Sequence, residues 1–136
     1  MAATRPQLVA LSRSVGHDIF WAGPRPGTYE LRRTVDGNIY IRYLPPGVPV
    51  GAGSADFLAV GTYPQKDAFA TIRQAEKRPG ETIRQLKDGG KAVVGQGRPN
   101  SVYFSYPGSK LLVEAYDPSP ARALGFVLTG KVSPLP

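Results

Sequence analysis

Cysteine is absent from this sequence, and histidine occurs once, at His17. No disulfide framework and no thiol nucleophile is therefore available, and zinc held by the usual Cys/His sets is excluded. Carboxylates are sparse as well: the ten Asp and Glu are scattered, without the paired spacing of a glycosidase or the clustering of a hard-metal site. No cofactor fingerprint is present, because Gly47, Gly51 and Gly53 are not followed by Lys-Ser/Thr, Gly95-Gln96-Gly97 fails likewise, and no Gly-x-Ser-x-Gly elbow occurs. Long hydrophobic runs are missing: nothing approaches the roughly 20 apolar residues of a membrane span. Met1-Ala2-Ala3-Thr4 has neither the basic nor the apolar region of a signal peptide, so the chain as given carries no address of its own.

What the sequence does contain is an echo of itself. Ile39, Tyr40, Ile41, Arg42, Tyr43, Pro46 and Gly47 read against Val102, Tyr103, Phe104, Ser105, Tyr106, Pro107 and Gly108, with an offset of 63 up to one short gap. Leu58, Val60 and Tyr63 fall on Leu111, Val113 and Tyr116, and each trio runs into a Pro-containing helix start. Convergence of two ordinary hairpins is the alternative, since strands favour Tyr and turns favour Pro-Gly. Glycines at 16, 80 and 130 close three helix-like segments, as expected if each repeat begins with a Gly-capped helix.

At 136 residues the chain is one domain by length, large enough to bury roughly two thirds of its unfolded surface. Fourteen prolines and sixteen glycines punctuate periodic segments instead of forming a low-complexity tract. Thr4 caps a helix over Arg5 to Val15, with Leu8, Leu11, Ser12 and Val15 on one side and Gly16 as its stop. Strands are predicted at Ile19 to Ala22, Tyr29 to Thr34, Ile39 to Leu44 and Phe57 to Tyr63, with a two-residue turn at Asp36-Gly37. A helix opens at Pro64 to Asp67 and ends by Pro79-Gly80, carrying Ala68, Phe69, Ile72 and Ala75 on one side. Strands follow at Thr82 to Leu86, Lys91 to Gly95, Ser101 to Tyr106 and Leu111 to Tyr116, and a last helix runs from Pro118 or Pro120 to Gly130. The expected fold is α+β: two helix plus four-stranded antiparallel units, about 4–63 and 64–117, and a closing helix, 118–130. All helices are expected on one face of the sheet, as in the TATA-binding-protein saddle or a tandem of cystatin-like units.

Trp21-Ala22-Gly23-Pro24, Tyr29-Glu30-Leu31, Tyr40-Ile41-Arg42-Tyr43-Leu44-Pro45, Val60-Gly61-Thr62-Tyr63-Pro64 and Tyr116-Asp117-Pro118-Ser119-Pro120-Ala121-Arg122 span nearly the whole chain. Together they resemble an uncharacterised domain family of high-GC Gram-positive bacteria. That family usually sits behind a single membrane anchor and has no assigned activity. The resemblance implies an extracytoplasmic module, although this sequence shows no anchor.

The formal net charge is +7, and the excess is unevenly placed. Residues 1–64 carry six Lys/Arg against four Asp/Glu, whereas residues 65–136 carry eleven against six. Arg73, Lys77, Arg78, Arg84, Lys87, Lys91 and Arg98 form the densest stretch, and Arg73 with Lys77 share a helix face at i, i+4. They offer a basic edge to an anionic polymer, nucleic acid or a membrane surface, unless they simply solvate the helix. Alternation along the strands yields a second candidate: Tyr40, Arg42, Tyr103 and Ser105 point away from the core, with Arg32 joining them across the hairpin. Tyr and Arg on an open sheet stack on sugars or bases and pair with phosphates or carboxylates; the plainer alternative is cross-strand packing. The loop from Pro45 to Asp56, eight residues longer than its counterpart, is a third candidate, because such asymmetry in a duplicated fold often marks added function; a mobile, tolerated insertion is the equal alternative.

The leading expectation is a non-catalytic binding or structural module that recognises an anionic or carbohydrate-like surface through Arg32, Tyr40, Arg42 and Tyr103, aided by Arg73 and Lys77, with no cofactor. A small enzyme or ligand carrier with a pocket near His17 and Trp21 is a second reading. Adjacent side chains such as His17 and Asp18 usually diverge, so a histidine capping helix one is the simpler account of that residue. A self-assembling subunit, joined through an edge strand or the long loop, is a third.

Overall fold

The computed structural model describes residues 1–136. Its elements run β1 (Ala2–Ala3), α1 (Arg5–Val15), β2 (Phe20–Trp21), β3 (Thr28–Arg33), β4 (Ile39–Leu44), β5 (Ala59–Pro64), α2 (Ala68–Ala75), β6 (Thr82–Gln85), β7 (Lys91–Gly95), β8 (Arg98–Ser105), β9 (Leu111–Tyr116), α3 (Pro120–Leu128) and β10 (Ser133–Pro134). The fold is α+β. Eight strands form one antiparallel sheet in the order β1-β3-β4-β5-β9-β8-β7-β6, and β2 pairs separately with β10.

Local chemistry accounts for the element ends. Thr4 and Gln7 form a reciprocal capping box on α1, Pro6 sits in the first turn, and Gly16 ends the helix at φ 76°. Ser119 caps α3 by accepting from the Arg122 amide, with Pro120 as the first helical residue. The β3–β4 turn is one residue longer than the two-residue turn expected from Asp36-Gly37. Thr34 and Asn38 pair through their backbones at 3.0 Å, which leaves a three-residue loop. Gly37 takes the left-handed position at φ 88°, a geometry that residue type supplies without strain.

The sheet register agrees with the offsets of the sequence echo. Tyr40 lies opposite Gly61 in the β4–β5 ladder, and Tyr103 lies opposite Glu114 in the β8–β9 ladder. Shifting the first pair by 63 and 53 residues, the offsets found in the sequence, lands on the second pair. A pseudo-twofold axis therefore passes between β5 and β9, where Gly61 faces Glu114. The equivalence covers three strands per half and stops there. β2 leaves the main sheet, whereas β6 forms one of its edges, so the expected helix plus four-stranded unit is not what repeats.

The helices do not share one face either. On the first face Ile39, Ile41, Val60, Val102, Phe104, Val113 and Ala115 are buried beneath Leu8 of α1, Ala123 and Val127 of α3, and Phe20 and Trp21 of β2. On the second face Ala68, Ile72 and Ala75 of α2 pack on Val93 and Leu112. The reason lies in the second half's strands, which are apolar on both sides: Ala92 and Val93 are both buried, as are Leu112 and Val113. A sheet with apolar residues at successive positions needs cover on both faces, and α2 supplies it. The open-faced saddle is replaced by a sheet covered in full on one side and in two patches on the other.

Candidate functional site

The second patch of cover on the second face is the long loop. Glu30, only 2% exposed, receives two hydrogen bonds from the Arg42 guanidinium, Nε to Oε1 at 2.7 Å and Nη2 to Oε2 at 3.1 Å. Its Oε2 also accepts from the Gly51 amide at 2.6 Å, while Arg42 Nη1 donates to the Ser54 carbonyl at 3.1 Å. Phe57 lies under the guanidinium, 5.6 Å from ring centre to Cζ. Tyr116 Oη donates to the Ala55 carbonyl at 2.7 Å. Arg42 thus holds the loop to the sheet. It does not present a free cation.

Between loop and helix runs a single row of cross-strand neighbours, Arg32, Tyr40, Gly61, Glu114, Tyr103 and Val93, one from each of six strands. Directly paired residues share a face, and at the usual strand spacing the row is about 24 Å long. Arg32 is exposed at one end; Tyr40 and Tyr103 are half-buried. A Cβ on Gly61 would lie 3.1 Å from the Tyr63 ring, so the glycine gives that ring room to lie across the row. Tyr63 then stacks edge-on against Tyr40, centroids 5.5 Å apart, and its hydroxyl donates to Glu114 Oε1. Ser101 Oγ donates to Glu114 Oε2 at 2.7 Å. Four of the seven tyrosines, Tyr40, Tyr63, Tyr103 and Tyr116, gather here because the duplication places them symmetrically about the axis.

Beyond Tyr103 the row opens into a cleft of 450 Å³ between α2 and strands β7 and β8. Its buried floor is Ile72, Ala75, Val93, Leu112 and Ser101, and its exposed rim carries Arg78, Arg98 and Gly97, with Glu81 half-buried beside them. The Val94/Gly95 bulge shapes the mouth, and a Cβ on Gly95 would sit 3.2 Å from Glu81 Oε2. None of Arg78, Arg98 and Glu81 belongs to an ion pair; the three pairs are Arg42–Glu30, Lys91–Glu76 and Arg122–Asp117.

Burial raises the hydroxyl pKa of two tyrosines on this face, Tyr63 and Tyr103. Tyr103 is pushed up to about 12, first by desolvation and then by the neighbouring Glu114 charge. Tyr63 is pushed far above its ordinary range by desolvation and by its bond to Glu114. On the first face Tyr43 also rises, by desolvation, with its hydroxyl accepting from the Ala22 amide at 2.7 Å and donating to the Gly23 carbonyl at 2.9 Å. A folded-state pKa above the unfolded value of 10.0 contributes stability that is complete below pH 10 and is lost as pH rises through the folded value. Alkaline titration followed by far-UV circular dichroism should accordingly show unfolding that begins above pH 10. Tyr63→Phe should weaken that dependence, and an unaltered alkaline limb would contradict the assigned burial.

The sequence candidates divide on these grounds. Arg32, Tyr40 and Tyr103 lie on the common row, and Arg42 belongs to the loop clamp. α2 ends at Ala75, so only Arg73 lies on it and Lys77 sits in the following turn instead of on the same helix face; both are exposed and neither lines the cleft. Trp21 is a core residue, edge-on to Tyr29 at 5.9 Å, with Arg5 5.3 Å above its ring. It does not border the shallow hollow beside His17, whose imidazole Nδ1 lies 2.8 Å from the Asp18 carbonyl. Sequence reasoning did not single out Tyr63, Ser101 and Glu114, and it treated Arg78 and Arg98 only as members of a charged stretch. The available signal was Glu114 itself, the one acidic residue within the apolar strand Leu-Leu-Val-Glu-Ala-Tyr. No group of three His, Cys, Asp or Glu is placed to hold a metal ion.

In comparisons with known proteins the chain matches no family model, no curated protein and no solved structure. The geometry alone therefore defines the class: an antiparallel α+β domain with a tyrosine row on one sheet face that leads to a cleft rimmed by two arginines.

Proposed function

We propose that this protein is a non-catalytic binding module that holds an anionic, hydroxyl-bearing chain along the second face of its sheet. The observation that carries this reading is the row from Arg32 through Tyr40 and Tyr103 to a cleft rimmed by two guanidiniums that form no ion pair. Half-buried tyrosine faces suit sugar rings, and guanidiniums suit phosphate or carboxylate. The net charge of +7 would draw such a polymer toward the domain. The resemblance to membrane-anchored extracytoplasmic domains supports a place outside the cytoplasm, where anionic wall polymers are the available ligands. No helix here is long and apolar enough to cross a membrane.

Equilibrium binding to a polyol-phosphate polymer is the direct test, with single-stranded DNA and anionic lipid vesicles as competitors. Tyr40→Ala with Arg98→Ala should weaken polymer binding at least tenfold, whereas Arg73→Ala with Lys77→Ala should leave it within about twofold. Equal loss in the two pairs would mean that non-specific charge governs binding, and an unaffected Tyr40→Ala/Arg98→Ala variant would reject the groove.

A further inference from the structure

The cleft under α2 is not simply cationic, and the direction of its hydrogen bonds sets what it accepts. Ser101 spends its hydroxyl proton on Glu114 Oε2, so the side of Ser101 that faces the cleft offers lone pairs only. Tyr103, whose hydroxyl neighbours the same carboxylate, is held protonated beside it. The half-buried Glu81 carboxylate stands over Gly95 with no cation paired to it. The floor and one wall therefore ask for a hydrogen-bond donor, while Arg78 and Arg98 on the rim ask for an anion. Between them Ile72, Ala75, Val93 and Leu112 form an apolar wall. A lone phosphate or carboxylate would meet the rim cations but would make no use of the Ser101 lone pairs and would be repelled by the Glu81 carboxylate beside it.

We infer that this cleft is a subsite for a zwitterion, an amino acid or short peptide with free termini. Its ammonium group meets Glu81 and the Ser101 oxygen, its carboxylate meets Arg78 and Arg98, and its side chain rests on the apolar wall. The cavity of 450 Å³ is within the range of small-molecule sites and accommodates a dipeptide. The inference rests on the reading of the second face as the ligand surface, but it concerns only the end of the groove.

The test is a titration of the full chain, followed through the methyl resonances of Ile72, Val93 and Leu112. The probes are the dipeptide Ala-Leu, its N-acetyl and C-amide derivatives, and inorganic phosphate. Free Ala-Leu should shift these methyls, and blocking either end should weaken binding at least tenfold. Glu81→Gln should abolish the difference between free and N-acetyl peptide without touching the amide difference, and Arg98→Ala should do the reverse. Equal binding of all three peptides, response to phosphate alone, or no response to any probe would overturn the inference. Loss of polymer binding with peptide binding intact would instead defeat the groove while the subsite stood.

Discussion

Arg42→Ala is expected to lower unfolding stability by about 3 kcal/mol, well beyond the effect of an ordinary surface arginine. Glu30 is the cause. Its carboxylate is buried and receives three hydrogen bonds, two of them from Arg42. Removing the guanidinium leaves a charge in a poorly solvated place with the Gly51 amide as its remaining partner. Arg42 keeps one fifth of its own side chain exposed, which places the cost near the lower end for buried pairs. The loop would lose its tie at Ser54 as well, so proteolysis between Pro45 and Asp56 should accelerate in the variant. Adding Glu30→Ala should recover part of the loss, because the uncompensated charge disappears with it.

Acid adds an independent readout. The Arg42 hydrogen bonds, opposed by desolvation and assisted by the Gly51 amide, hold the Glu30 pKa below its ordinary 4.5. A depressed folded-state value contributes stability that is present above the unfolded pKa and vanishes as pH falls through the folded one. The wild-type chain should thus lose stability below about pH 4.5, and Arg42→Ala should lose less over the same interval. Urea unfolding at several pH values measures both effects; a cost under 1 kcal/mol at neutral pH would show the pair to be dispensable.

Phe104→Ala is expected to cost about 3–5 kcal/mol, a large share of the stability of a domain this size. Phe104 is 1% exposed at the centre of the first-face core, and its ring stands edge-on to Phe20 at 5.8 Å and to Tyr106 at 6.1 Å. Truncation removes two aromatic contacts and leaves a void that Phe20 of β2 can fill only by shifting toward the sheet. Ile41 is its pseudo-twofold equivalent and equally buried, but has no ring to stack. Ile41→Ala should therefore fall at or below the Phe104→Ala value. A midpoint shift at constant denaturant slope is the expected form of the result, and a cost below about 1.5 kcal/mol would mean that the core closes over the gap.

The strands and helix ends were legible because local chemistry decides them: Thr4 and Gly16 bound α1, Ser119 and Pro120 open α3, and alternation marks Ile39, Ile41 and Tyr43 as inward. The echo of Tyr40 and Tyr103 correctly placed both on one face. The side chosen by α2 was not extracted, although the apolar pairs Ala92-Val93 and Leu112-Val113 encode it. Nor was the partner of Arg42, since Glu30 becomes its neighbour only when the β3–β4 register is fixed. Arg78 and Arg98 are separated by twenty residues in sequence, and only the packing of α2 over β8 brings them to one rim. Interactions that depend on which strands meet are invisible to period and propensity alone.

The axis between β5 and β9 also bears on how the chain reaches this state. Tyr63 meets Leu112 across that ladder, and the closing segment returns to the start, with the Leu135 amide donating to the Ile19 carbonyl at 2.8 Å. The contacts that join the halves thus span roughly 50 residues in one case and more than 100 in the other, so their loop-closure entropy must be met before they contribute. Each three-stranded meander can assemble locally, but neither gains its shared core until the other is present. Folding is therefore expected to be limited by the encounter of the two meanders, with the clasp of β10 on β2 expected among the last contacts to form.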